Sequence, residues 1–204
     1  GSGKGYLTFA RYHHLQQQQQ AATLTGIELR EHLVEFCQAQ ARALGWPGLR
    51  FRAQDIATYA NAAIDVLIAL HACDTATDLA IAKGMAAAAA VIVVAPCCHR
   101  QVRRSMTPPS PALTALLRHG IQQERQAALL TDSIRALLLE AAGYQTKVFE
   151  FIQSEHTAKN TLITAVRLSQ PNPKHQAHCA TQVEAIKTAF GITEHYLQTL
   201  LAEI

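Results

Sequence analysis

The sequence predicts an open α/β fold with a mostly parallel sheet, and three observations carry that expectation. Ile64-Asp65-Val66-Leu67-Ile68-Ala69-Leu70 and Val91-Ile92-Val93-Val94-Ala95 are short, nearly unbroken apolar runs, the pattern of strands covered on both faces. Segments with helical spacing fall between strand-like ones, so that strand and helix alternate along the chain. Hydrophobic residues make up 49% of the 204 residues and charged ones 16%, which suffices for a layered core and excludes disorder as a description of the whole chain.

A glycine-rich turn, Gly1 to Tyr6, leads into a helix from Leu7 to about Gln20, whose Gln16–Gln20 run is its solvated end. Tyr6, Phe9 and Tyr12, three apart, belong to a core, and His13 and His14 to the surface. Thr23 to Leu29 reads as a short strand ending in an acid, and Arg30 to Leu44 as a helix stopped by Gly45 and Pro47. Leu49-Arg50-Phe51-Arg52-Ala53 alternates, which suits an edge strand. The two apolar strands follow, with a helix from Asp74 to Gly84 between them; Pro96 closes the second. Thr107 to Pro111 is a proline-rich loop. Ile121 to Ala142 is a long helix ended by Gly143. Tyr144–Ile152 and Thr161–Leu168 read as strands, residues 170–174 break the pattern, and Thr181 to Ile204 is an amphipathic helix whose stripe (Val183, Ile186, Phe190, Leu197, Leu200) packs on the sheet. There is no internal repeat.

Several classes drop out on composition. The longest apolar run, Met85 to Pro96, is too short to span a bilayer, so no membrane is expected. The N-terminus has no basic region ahead of an apolar one, as a secretory signal would. Five cysteines, two of them adjacent, do not make a disulfide framework in a chain this long, which points to a reducing, cytoplasmic compartment. A net charge of +3 permits an anionic partner without demanding one.

The first chemistry-bearing feature is the loop. In doubly wound sheets a glycine-rich turn brings backbone amides to a ligand, and an acid about 20 residues on takes ribose hydroxyls. Gly1, Gly3 and Gly5, with Ser2 and Lys4 between them, fit the turn, and Glu28 fits the acid. The pattern is G-x-G-x-G, which disfavours a dinucleotide and with it nicotinamide-dependent oxidoreduction. Lys4 is followed by Gly5 where a nucleotide-triphosphate loop needs Ser or Thr. An adenosyl ligand without a pyrophosphate suits such a loop. The turn should follow a strand and the chain begins at the turn, so the first strand is expected to be missing through N-terminal truncation.

The second feature is a cluster. His71, Cys73, Cys97, Cys98 and His99 come from the ends of two strands expected to be neighbours. They read as buried packing residues, or as a catalytic wall facing substrate with His71 or His99 as base or orienter. Cys97 as a nucleophile is a further reading. A metal is not expected, because C-C-H lacks the usual two-to-four-residue ligand separation. Arg100, Arg103 and Arg104 follow directly, either as a solvated turn or as a lip that contacts phosphates. With little aromatic interleaving, a stacking platform for single strands is not supported.

Gly1 to Tyr6, Glu28, Asp55, Leu70-His71-Ala72-Cys73-Asp74 with Thr77-Asp78-Leu79-Ala80, and Ala95-Pro96-Cys97-Cys98-His99 together resemble a class I S-adenosylmethionine-dependent methyltransferase. More narrowly, they are similar to the methyltransferase-domain family marked by "LHAC…TDLA" and "APCCH", a group akin to the eukaryotic tRNA 2′-O-methyltransferases that modify the acceptor stem. The likeness runs from residue 1 to about 168. It implies a Rossmann-like sandwich, S-adenosyl-L-methionine as cofactor, and RNA (tRNA or rRNA) as substrate. A protein substrate, or a catalytically silent binding module, is the alternative. By the same resemblance Gly1, Ser2, Gly3, Lys4 and Gly5 line the methionine end of the cofactor, Glu28 with Leu29 its ribose, and Asp55 with Ile56 its adenine. His71, Ala72 and Cys73 lie next to the transferable methyl, and Lys159 and Asn160, in a segment similar to the family's "EHTAKN" element, hold substrate backbone. Residues 1–169 would form the methyltransferase domain and 170–204 a helical extension packed on it, with no obligate protein partner.

Overall fold

The computed structural model describes residues 1–59, 63–70, 72–151 and 160–203. They form an α/β fold that divides into two compact units, Gly1–Ala60 and Asn61–Ile204. The C-terminal helices bury Val183 and Leu197 in the second unit's own core.

The first unit runs α1 (Tyr6–Gln17), β1 (Leu24–Glu28), α2 (Glu31–Ala43), β2 (Leu49–Ala53). The strands pair in parallel, Leu24 beside Leu49 through Glu28 beside Ala53. Alternation does its expected work in β2, where Leu49 and Phe51 turn inward and Arg50 and Arg52 outward. The core gathers Tyr12, Cys37, Ala41, Leu49 and Phe51, with Phe9 and Trp46 against them; the Phe9 and Phe51 rings stack at 5.4 Å. Tyr6 departs from expectation. It is 77% exposed, since the first turn of α1 leaves this core behind.

The second unit runs β3 (Val66–Leu70), α3 (Thr75–Ala86), β4 (Val91–Ala95), α4 (Arg100–Ser105), α5 (Pro111–Leu116), α6 (Gly120–Ala141), β5 (Tyr144–Glu150), β6 (Thr161–Arg167), α7 (Pro173–Phe190), α8 (Tyr196–Ala202). The sheet order is β3-β4-β6-β5, with β3 and β4 parallel and β6 antiparallel to both of its neighbours. Three strands therefore point one way and β6 the other. Ile81, Ile92, Val94, Ile134, Leu139, Ile163, Val183 and Leu197 form the core between sheet and helices. Among the described residues no helix is long and apolar enough to cross a membrane.

Four expectations need correction. β3 is not covered on both faces: Val66 and Ile68, which share one face of the strand, are 49% and 43% exposed. An apolar run records what a strand can bury, not what covers it. The proline-rich loop and the arginines before it hold two short helices, and Pro111 opens α5 beneath the cap of Ser110, whose Oγ accepts from the Leu113 amide at 3.3 Å. The break at residues 170–174 likewise starts a helix. Asn172 Oδ1 accepts from the amides of Lys174 (3.0 Å) and His175 (3.4 Å), with Pro173 at the first helical position. The expected single C-terminal helix is two, divided at Gly191.

Candidate functional site

In the first unit the loop is fastened to the end of β1. The Ser2 amide donates to the Ile27 carbonyl at 2.7 Å and the Gly5 amide to the Ser2 carbonyl at 2.9 Å. Gly3 has φ +56, and a Cβ built there would meet nothing within 4 Å, so its backbone is left open to approach. Gly1 lies against the acid, since a Cβ on it would come 2.8 Å from Glu28 Oε2.

Glu28 is buried and fully engaged. Its Oε2 accepts from the Gly3 amide at 2.8 Å, and its Oε1 from Arg30 Nε at 2.8 Å. The Arg30 hydrogen bond, chiefly, and the Gly3 amide hold its carboxyl down at about 2, against the usual 4.5, with burial opposing. Loop and acid, 25 residues apart, thus form one constellation, as the spacing led one to expect. Arg30 was not foreseen as the partner, although it stands two residues from the acid. Ser2 Oγ is buried without a hydrogen-bond partner among the described residues. Lys4 and Leu29 are exposed. Asp55 is exposed as well and turns its Oδ1 to the Ala57 amide at 2.9 Å, with Ile56 half-buried beside it.

In the second unit β3 and β4 end side by side and bring the cysteines together. Cys73 Sγ lies 3.5 Å from Cys97 Sγ, which is 3.8 Å from Cys98 Sγ. Burial first, then the hydrogen bonds with Cys73 and Cys98, pushes the Cys97 thiol up to about 12. At neutral pH it is a thiol and not a nucleophilic thiolate. The three sulfurs are close enough to hold a metal ion in common.

His99 caps α4 and is buried, with Nε2 at 3.2 Å from both carboxylate oxygens of Asp132. Facing a carboxylate, Nε2 donates, and Nδ1 is buried with no hydrogen-bond partner among the described residues. Asp132 in turn accepts from Arg135 Nη1 at 3.1 Å. Arg135, 0% exposed, forks onto Asp78 through Nε (2.8 Å) and Nη2 (2.9 Å), and Nη2 also reaches the Asp74 carbonyl at 3.0 Å. Asp74 adopts φ +53, a costly conformation for a non-glycine residue, while its Oδ1 takes the Gln101 amide at 3.1 Å. The network locks the strand end that carries Cys73 to the helix that follows Cys97 and His99.

Asp132, Arg135 and Asp78 had no place among the expected site residues, although Asp78 stands in a quoted motif. The available signal was a pair of charges, Asp132 and Arg135, on the same face as Leu138 and Leu139 in a long apolar helix. Arg100, Arg103 and Arg104 are all exposed, with Arg100 one turn of α4 before the adjacent Arg103 and Arg104. Asn160 is 4% exposed just before β6, where its carbonyl accepts from the Phe151 amide at 3.1 Å. His71 and Lys159 lie outside the described residues.

Comparison with known proteins gives one family and several distant folds. Residues 1–105 match the family model described as "Methyltransferase domain". No curated protein matches. Among solved structures the chain is similar to the CMeT domain of the citrinin polyketide synthase (16% identity, TM-score 0.47, 81% of this chain and 44% of that one). It is also similar to geranyl diphosphate methyltransferase in complex with SAM (15%, TM-score 0.47, 82% and 76%), and to a putative methyltransferase from Thermoplasma acidophilum (16%, TM-score 0.44, 83% and 66%).

Proposed function

The chain belongs to the methyltransferase-domain family, whose model spans residues 1–105, and from that premise we propose that it transfers a methyl group from S-adenosylmethionine to RNA. The matched span contains both the glycine loop with its acid and the two strand-end motifs, and this is the observation that carries the reading.

The first unit's residues suit the cofactor. Glu28 stays ionised at every physiological pH, and its oxygens keep lone pairs beyond those given to Gly3 and Arg30, so it can accept from ribose hydroxyls. The open backbone at Gly3 and the orphaned Ser2 Oγ suit the polar methionine end. Gly1, Lys4, Gly5 and Leu29 complete that loop, and Asp55 with Ile56 is assigned the adenine on family resemblance. The cofactor supplies a methyl group already activated on a positively charged sulfur. What remains for the protein is to orient the acceptor and exclude water.

The second unit's residues suit the acceptor. Asp132 holds the buried His99 ring beside the cysteine motif, where it suits an orienter of the wall there. Cys73, Cys97 and Cys98 would form that wall at the strand end. Arg100, Arg103 and Arg104 offer three exposed guanidiniums, directly after the cysteine motif, to successive phosphates.

Incubation with methyl-labelled S-adenosylmethionine and a cell extract tests the reading. Label released by ribonuclease is expected. Reversing Arg103 and Arg104 to Glu should weaken RNA binding and flatten its salt dependence by roughly two phosphate contacts. Label that resists ribonuclease but yields to protease would move the substrate to protein. Cofactor binding without any transfer would leave a silent module.

A further inference from the structure

A separate cluster lies where α6 ends and α7 begins. His175 and Cys179 stand four residues apart on α7 and so share one face, which meets Glu140 in the last turn of α6. His175 Nε2 is 3.1 Å from Glu140 Oε2. Cys179 Sγ is 3.5 Å from that same oxygen and 3.5 Å from His175 Nε2.

A tetrahedral zinc ion with bonds of about 2.0–2.3 Å sets its ligand atoms roughly 3.4–3.6 Å apart, so this triangle already has nearly the dimensions of one face. Two further features match a metal centre. Thr146 Oγ1 donates to the other oxygen of Glu140, the outer hydrogen bond that orients a ligating carboxylate. The frame is fixed, since Asn172 caps α7 and Gln176 Nε2 donates to the Ala141 carbonyl at 2.9 Å.

We propose that Glu140, His175 and Cys179 bind a divalent transition-metal ion that clasps the end of α6 to the start of α7. A thiolate, an imidazole and a carboxylate together favour zinc among the common ions. Cys179 is fully buried, whereas the His175 side chain is 53% exposed, so solvent water reaches the fourth position from the histidine side. On binding, the Cys179 thiol releases its proton to solvent, and thiolate and carboxylate together balance the two positive charges. The cluster lies apart from the family-matched residues 1–105 and stands whether or not the methyl-transfer reading does.

The test is zinc and cobalt binding to the metal-stripped chain. Cobalt should bring up a thiolate-to-metal absorption band that zinc abolishes. His175→Ala and Cys179→Ser should each lower zinc stoichiometry by about one equivalent, or weaken that site by more than about 100-fold, beyond what loss of an outer partner costs. Because His175 is half exposed, His175→Ala should keep the circular dichroism of the parent while losing the zinc-induced rise in thermal midpoint. The Cys73, Cys97 and Cys98 sulfurs provide the control, since metal held there is untouched by His175→Ala. Failure to bind zinc at micromolar concentration would overturn the proposal, as would a stoichiometry, affinity and cobalt spectrum that both variants leave unchanged.

Discussion

Arg135 is the residue on which the second unit's site depends. Its side chain has no exposure and answers Asp78, Asp132 and the Asp74 carbonyl at once. Arg135→Leu would leave two buried carboxylates without a counter-charge, and a loss of about 3–5 kcal/mol in urea unfolding is expected. Arg135→Lys should recover only part of it, because an ammonium cannot fork onto Asp78 while also reaching Asp132. Asp78 carries no local sign of this role. Its partner lies 57 residues away, and no local pattern announces a pairing at that distance.

At the scale of elements, α7 shows how short signals govern a helix. Asn172 takes two orphan amides, and Asn172→Ala should cost about 1 kcal/mol, read as a lowered thermal midpoint. Gly191 ends the helix at φ +61, and a Cβ there would come 1.9 Å from the Thr107 carbonyl oxygen. Gly191→Ala therefore adds a backbone collision to the left-handed penalty of about 1–2 kcal/mol, and should exceed the cap variant clearly in the same measurement. Residues 170–174 carry both a break and a start. Proline and asparagine end one pattern while supplying the cap and first residue of the next, so the helix begins earlier than its apolar stripe does.

For the whole molecule, the two units lose stability to acid in different pH windows. His195 in the second unit is 1% exposed with neither ring nitrogen hydrogen-bonded among the described residues, and burial lowers it to about 4. An unfolded histidine binds its proton near 6.5, so stability falls as pH drops from 6.5 to 4, by about 3 kcal/mol. Glu28 in the first unit has the same sign but a lower window. Its lowered value stabilises above 4.5, and that contribution fades only between 4.5 and about 2. Trp46, the one tryptophan, reports on the first unit. Between pH 7 and 4.5 its unfolding midpoint in denaturant should hold while the midpoint by circular dichroism declines, and His195→Phe should remove that decline.

The sequence by itself determined the α/β class and the alternation of the strands with the longer helices. These rest on periodicity and short spacing, which the chain carries locally. It also brought Cys73 to Cys97, because two apolar strands with a helix between them pair in parallel and end together. Tertiary structure alone decided that β3 is an edge, that Arg135 holds the site's floor, and that Glu140 meets His175 and Cys179. Each of these depends on which surfaces meet across tens of residues, and burial and pairing at that range are properties of the packed chain.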